Sequence, residues 1–136
     1  MAEEETLVIV KPDAVRRGLT GEIIGRIERK GLRIAEMRSL RIERDLAERH
    51  YDEHRDKPFF GELVEFITSG DVLVARVVGE QAVPVVRTLM GPTDPASAPP
   101  GTIRGDFGVL ITENLVHGSD SPESAKRELD LFFDQP

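Results

Sequence analysis

Apolar residues in this chain form two kinds of pattern, short continuous runs and stripes at helical spacing, and the two alternate. Thr6 to Val10 is an apolar run that stops at Lys11-Pro12, which predicts a central strand buried on both faces with a lysine at its end. A helix follows: Thr20 stands as its cap, Ile23, Ile24 and Ile27 form its stripe, and Gly31 marks its end. Leu32 to Ile42 predicts a second strand whose alternation slips phase near Ala35, the signature of a bulge. Two helical pieces come next. Asp45 to about His54 is mostly polar, whereas Phe60 to Ser69 carries Leu63, Val64, Phe66 and Ile67 before Gly70.

Val72 to Val78 is again β-branched and apolar, and Gln81 to Met90 is helical. A loop from Gly91 to Gly101 contains Pro92, Pro95, Pro99 and Pro100, and loops of this length bind ligands or make subunit contacts. Thr102 to Asp106 reads as a short helical turn. Phe107 to Ile111 and the segment around Leu115 and Val116 supply the last strand material. The final helix is strongly marked, with Ser121 as cap, Pro122 at the first position and Ala125, Leu129 and Phe132 at i, i+4, i+7. Alternating strands and helices, without repeat or linker, predict one small α/β sandwich with a mixed or antiparallel sheet.

Composition narrows the chemistry. At 136 residues the chain fits a single domain, residues 1–136, with room for a real core. With no cysteine, disulfides and thiolate chemistry are excluded, and a metal must be held by oxygen or by the three histidines. No apolar run approaches membrane-spanning length and the start lacks the features of a signal peptide, so a soluble, cytoplasmic protein is expected. The net charge of −7 argues against a nucleic-acid-coating surface, although a local basic cleft is compatible with it.

Candidate chemistry gathers near the C-terminus. His117 precedes the turn Gly118-Ser119-Asp120 and the helix start at Ser121, and a helix N-terminus favours a phosphate beside it. Glu128 lies on the apolar side of that helix, where a carboxylate could hold one imidazole nitrogen and leave the other as a nucleophile. Turn and cap chemistry alone also accounts for these residue types, and Glu128 could equally face solvent. Lys11, Arg55, Lys57, Arg87 and Arg104 fall near loops or element ends and could cradle an anion. Phe59 is suited to stacking on a nucleobase, or to the core.

Taken in order along almost the whole chain, certain motifs resemble the nucleoside diphosphate kinase family. They are Val10-Lys11-Pro12-Asp13, Gly18-Leu19-Thr20-Gly21-Glu22, His50-Tyr51 with Lys57-Pro58-Phe59-Phe60, Ser69-Gly70, Gly91-Pro92-Thr93-Asp94-Pro95-Ala96, Pro100-Gly101-Thr102-Ile103-Arg104-Gly105-Asp106-Phe107, and Asn114-Leu115-Val116-His117-Gly118-Ser119-Asp120-Ser121. The resemblance implies a ferredoxin-like α/β sandwich with a four-stranded antiparallel sheet covered by helices. It implies ping-pong transfer of the γ-phosphate from a nucleoside triphosphate to a diphosphate through a phosphohistidine at His117. By motif match, Lys11, Arg87, Thr93 and Arg104 bind phosphates, Tyr51 borders the histidine, Phe59 stacks on the base, Asn114 contacts sugar or phosphate, and Glu128 and Ser119 orient His117.

The same resemblance implies Mg²⁺ held mainly by nucleotide phosphates and water, with Glu53 or Asp120 assisting, and a homo-oligomer, tetramer or hexamer. Asp71 stands where the family often has proline and Phe132 where it often has tryptophan, which bears on local packing. Two other classes remain in view: a nucleotide-binding module without turnover, and a nucleic-acid-associated protein that the acidic balance disfavours.

Overall fold

The computed structural model describes residues 3–134. Its elements run β1 (Glu3–Val10), α1 (Pro12–Arg16), α2 (Thr20–Lys30), β2 (Arg33–Arg41), α3 (Arg44–His50), α4 (Phe60–Ile67), β3 (Asp71–Glu80), α5 (Ala82–Met90), α6 (Ile103–Phe107), β4 (Val116–Gly118) and α7 (Pro122–Phe132). Short 3₁₀ turns cover Asp52–His54 and Pro95–Ser97. The four strands form one sheet in the order β2-β3-β1-β4 with every neighbouring pair antiparallel. That order, with helices between β1 and β2 and between β3 and β4, is the ferredoxin-like arrangement.

The central position of β1 follows from its run of apolar residues. Leu7, Val8, Ile9 and Val10 are all at most 1% exposed, because each face of the strand has its own cover. Val8 and Val10 point into a core with Ile23 and Ile27 of α2 and Val86 and Met90 of α5. Leu7 and Ile9 point the other way, into a core with Val64 and Ile67 of α4 and Leu129 and Phe132 of α7. Each of these larger side chains contributes about 1.5–3 kcal/mol on burial. The period of two then settles where the histidine goes: His117 lies opposite Ile9 in the β1–β4 ladder, so it shares the face covered by α7.

The bulge expected near Ala35 is present as a register shift between Ile34 and Glu36. Two local expectations are corrected. Thr20 is the first residue of α2 and not its cap; Leu19 takes the cap position without a side-chain hydrogen bond. Residues 107–111 supply no strand: Phe107 closes α6, and Val109, Leu110 and Ile111 are 74%, 55% and 55% exposed. The β1 edge they would need is occupied by β4. His117, expected just before a turn, is the middle residue of β4, and Gly118 closes that strand.

Candidate active site

The site is built around a tight backbone feature that no side-chain pattern announces. Leu115, fully buried, has φ of 75°, and the Val116 N–H donates to the Asn114 carbonyl at 2.8 Å, closing a γ-turn. A positive φ at a non-glycine residue costs roughly 1–3 kcal/mol and persists only where the surroundings impose it. Here the imposition is explicit. The Leu115 N–H donates to Asp13 Oδ2 at 3.2 Å, and the Leu115 carbonyl accepts the Lys11 N–H at 2.9 Å. Burial holds the Asp13 carboxyl above its ordinary pKa, opposed by hydrogen bonds from backbone N–H groups and by the Lys11 charge. Arg104 secures the outer side, donating to the carbonyls of Asn114 (3.1 Å), Gly91 (2.9 Å) and Val116 (2.7 Å).

Next in sequence, β4 presents His117 toward α7. Glu128 projects from the second turn of that helix, 5% exposed, and its Oε1 lies 2.8 Å from His117 Nε2. Ser119 Oγ donates to the same oxygen at 2.7 Å and accepts the Leu7 N–H at 3.2 Å, which locks the carboxylate to β1. Burial works against the charged carboxylate, but the His117 bond and charge, the nearby His50 and the Ser119 bond outweigh it, so Glu128 is held below its usual pKa and ionised. An ionised carboxylate only accepts, so Nε2 carries the ring proton and Nδ1 holds the lone pair. The contact between histidine and helix is therefore made through Glu128, well inside α7, and not through its N-terminus.

Cations close the opposite wall. Lys11 Nζ donates to Asn114 Oδ1 at 2.9 Å, and Asn114 Nδ2 donates to the Thr93 carbonyl at 3.2 Å. Asn114 thus spends its amide on holding Lys11 and the proline-rich loop in place. Burial, then the Arg104 charge, lower the Lys11 pKa from 10.5 to about 8 against the opposing Asp13. Burial and Arg87 bring Arg104 down to about 10, which leaves it charged at neutral pH. Arg87 donates to the Gly118 carbonyl at 3.2 Å, next to His117. Lys11, Tyr51, Phe59, Arg87, Thr93, Arg104, Asn114, His117 and Glu128 all line a single cleft of about 400 Å³. Ser119, fully buried, stands behind it.

An apolar slot of about 510 Å³ adjoins that cleft and shares Lys11, Phe59, Thr93 and Asn114 with it. Phe59, 42% exposed, lines it together with Ile111, Leu63 and Phe66. The cleft is lined by cations and the adjoining slot is mostly apolar. Two expected cradle residues are elsewhere: Arg55 turns to Asp52 at 2.9 Å and, like Lys57, does not line the cleft. Ile111 escaped the sequence reading because an apolar residue after Val109-Leu110 resembles strand core. His50, 3% exposed, was noted only as part of a motif; its ring packs edgewise on His117 with centroids 4.7 Å apart.

A ferredoxin-like sheet carrying a carboxylate-held histidine beside a cationic cleft defines a class of anion-binding site. Residues 4–136 match the profile of the family described as "Nucleoside diphosphate kinase". A nucleoside diphosphate kinase of Rubrobacter xylanophilus is 65% identical over 96% of this chain and 98% of its own length. That of Archaeoglobus fulgidus is 62% identical over 96% of this chain and 86% of its own. A halophilic nucleoside diphosphate kinase of Halobacterium salinarum, solved in complex with CDP, superposes with a TM-score of 0.95 at 51% identity, covering 98% of this chain and 90% of that one. The chain belongs to the nucleoside diphosphate kinase family.

Proposed function

We propose that this protein transfers the terminal phosphate of a nucleoside triphosphate, typically ATP, to a nucleoside diphosphate, with the phosphate carried in between on His117. The observation that supports it most is the His117–Glu128 pair at 2.8 Å, which commits Nε2 and leaves Nδ1 for the substrate. The Nδ1 lone pair forms a bond to the γ-phosphorus, the bond from phosphorus to the bridging oxygen breaks, and the nucleoside diphosphate leaves with that electron pair. The positive charge that develops on the ring is stabilised by the ionised Glu128 through Nε2–H. A terminal oxygen of a second diphosphate then attacks the same phosphorus and breaks the N–P bond, which returns His117 to its starting state.

Lys11, Arg87 and Arg104 offset the charge spread over the transferring group, and Thr93 lies beside them. Tyr51 walls the histidine; its hydroxyl is held neutral, because burial and the Glu128 charge raise its pKa. Mg²⁺ fits a cleft with oxygen donors but no dedicated cage: Glu53 and Asp120 both line it, consistent with an ion held chiefly by phosphates and water. When bound it would neutralise phosphate charge. The reading places the protein in the cytoplasm as a homo-oligomer, tetramer or hexamer, supported by the exposed apolar segment Val109–Ile111; sedimentation checks the assembly.

Incubation with γ-labelled ATP and Mg²⁺, followed by a chase with GDP, tests the reaction. An acid-labile, base-stable label that moves to GTP supports it; bound nucleotide without label points to a binding module.

Two further outcomes are expected. Phe59→Ala removes the exposed face of the slot, and stacking of about 1–3 kcal/mol per base is indifferent to base identity. Its KM should rise by roughly 10-fold to 100-fold for purine and pyrimidine diphosphates alike, in steady-state assays over several nucleotides. The second concerns pH. As pH rises through about 8, free-enzyme Lys11 loses its charge, so kcat/KM should fall above that value. The sign for stability is opposite: a lowered lysine pKa gives stabilisation that is complete above 10.5 and lost as pH falls through about 8. Bound phosphate favours charged Lys11, so the rise in melting temperature on adding ADP should shrink between pH 7 and pH 9.5.

A further inference from the structure

His50 is the buried titratable group for which the phosphotransfer reading has no use. Neither of its ring nitrogens has a hydrogen-bond partner, although a buried neutral imidazole carries one donor and one acceptor. Its backbone offers no reason for a histidine, since the His50 carbonyl simply accepts from Arg127 at 3.2 Å. The ring is enclosed by Tyr51, Phe132 and His117, with centroids at 4.7, 5.4 and 4.7 Å. Among the described residues, His50, His117 and Glu128 each bring one ligand atom to within 4.8 Å of the other two. All three line the same cleft, so the group is reachable from solvent.

The geometry points to a site for a borderline-soft divalent ion such as Zn²⁺, held by His50, His117 and Glu128, that switches the nucleophile off. Two imidazoles and a carboxylate are a standard zinc donor set, with bonds of about 2.0–2.2 Å, which places ligand atoms about 3.4 Å apart. Oε1 and Nε2, now 2.8 Å apart, would open slightly, and His50 would close from 4.8 Å or less by turning its ring. A cleft water takes the fourth position. Mg²⁺ prefers oxygen in an octahedron and retains its waters, so it does not compete for two imidazoles.

Inactivation follows from proton balance. The ion takes the place of the proton that Nε2 shares with Glu128, and this proton moves to Nδ1 as the ring changes tautomer. Displaced waters leave the ion, no redox change occurs, and the Nδ1 lone pair that would attack phosphorus is gone. The metal site itself needs only the three ligands; the inactivation rests on the phosphotransfer reading above.

Zn²⁺ affinity is to be measured without nucleotide, by competition with a chromophoric chelator, on the wild type, His50→Phe and His54→Ala. Phenylalanine keeps the aromatic packing and removes both ligand nitrogens, while His54 is the other histidine of the cleft. Wild type and His54→Ala should bind one equivalent at micromolar or tighter concentration, and His50→Phe at least tenfold more weakly. Co²⁺ in place of Zn²⁺ should give visible absorption of tetrahedral intensity in the wild type. Nitrogen NMR of the histidine rings, which needs no variant, should show both His50 and the His117 Nε2 resonance shifting on zinc addition. With excess Mg²⁺ and γ-labelled ATP, bound Zn²⁺ should abolish the label and a chelator restore it.

Millimolar or weaker binding, equal affinity in His50→Phe, or an unmoved His50 resonance would overturn the site. Tight binding with unchanged labelling would overturn the switch. Absence of label in the metal-free arm would count against the phosphotransfer reading alone, because the binding arms do not depend on it.

Discussion

His117→Ala is expected to lose the acid-labile phosphoenzyme entirely and to lower turnover by at least roughly 10⁴-fold, the scale on which removal of an attacking group acts. The remaining cations can still bind nucleotide, so the equilibrium affinity for ADP should change little, which separates loss of chemistry from loss of the site. The fold should survive. The imidazole side chain is 21% exposed, and Glu128 keeps the Ser119 hydroxyl at 2.7 Å as a donor when the ring is gone. Thermal unfolding should therefore place the variant within about 1–2 kcal/mol of the wild type. Retention of substantial turnover would rule out His117 as the carrier.

Arg104→Ala is expected to act on stability and activity together, unlike the histidine change. The guanidinium is 5% exposed and donates to the carbonyls of Asn114, Gly91 and Val116, which flank the strained Leu115 turn and close the proline-rich loop onto it. Hydrogen bonds from a charged group are worth about 1.5–3 kcal/mol each, and the cost of burying the guanidinium offsets part of their sum, so a loss of about 3–5 kcal/mol is expected. Denaturant unfolding at pH 7 measures it. Because the turn sets Asn114, and Asn114 holds Lys11 at 2.9 Å, phosphate affinity should fall beyond what one missing charge explains. Arg104→Lys should recover little, since one ammonium cannot serve three divergent carbonyls. An unaltered unfolding midpoint would show that the carbonyls find water instead.

Much of this architecture was legible in the chain because it depends on local pattern. The Thr6–Val10 run called for a strand covered on both faces, and β1 is that strand. A phase slip at Ala35 showed as a bulge, and Ser121-Pro122 opened α7 with the Ser121 Oγ accepting the Ser124 N–H at 3.0 Å. Glu128 among apolar neighbours could have faced solvent; its 5% exposure and its bond to His117 decide for the inward reading. The roles of the motif residues came from resemblance, and they remain the content of the proposal, supported by the cleft that gathers them.

Other features could not be read from neighbours in sequence. Val109-Leu110-Ile111 has the composition of a strand, yet no free edge of β1 remains for it, and Ile111 instead lines the slot along with Phe59. Asn114 lines the cleft, and its bonds to Lys11 and to the Thr93 carbonyl join residues far apart in the chain. By itself, then, the chain determined most of its elements and its sandwich class, because hydrophobic period, caps and turns are short-range. Only the tertiary structure decided which imidazole nitrogen is free, how far Lys11 loses its proton, and that His50 stands unpartnered behind His117. Those properties arise from burial and from contacts between residues as far apart in sequence as Lys11 and Asn114, where desolvation and charge depend on distance through space.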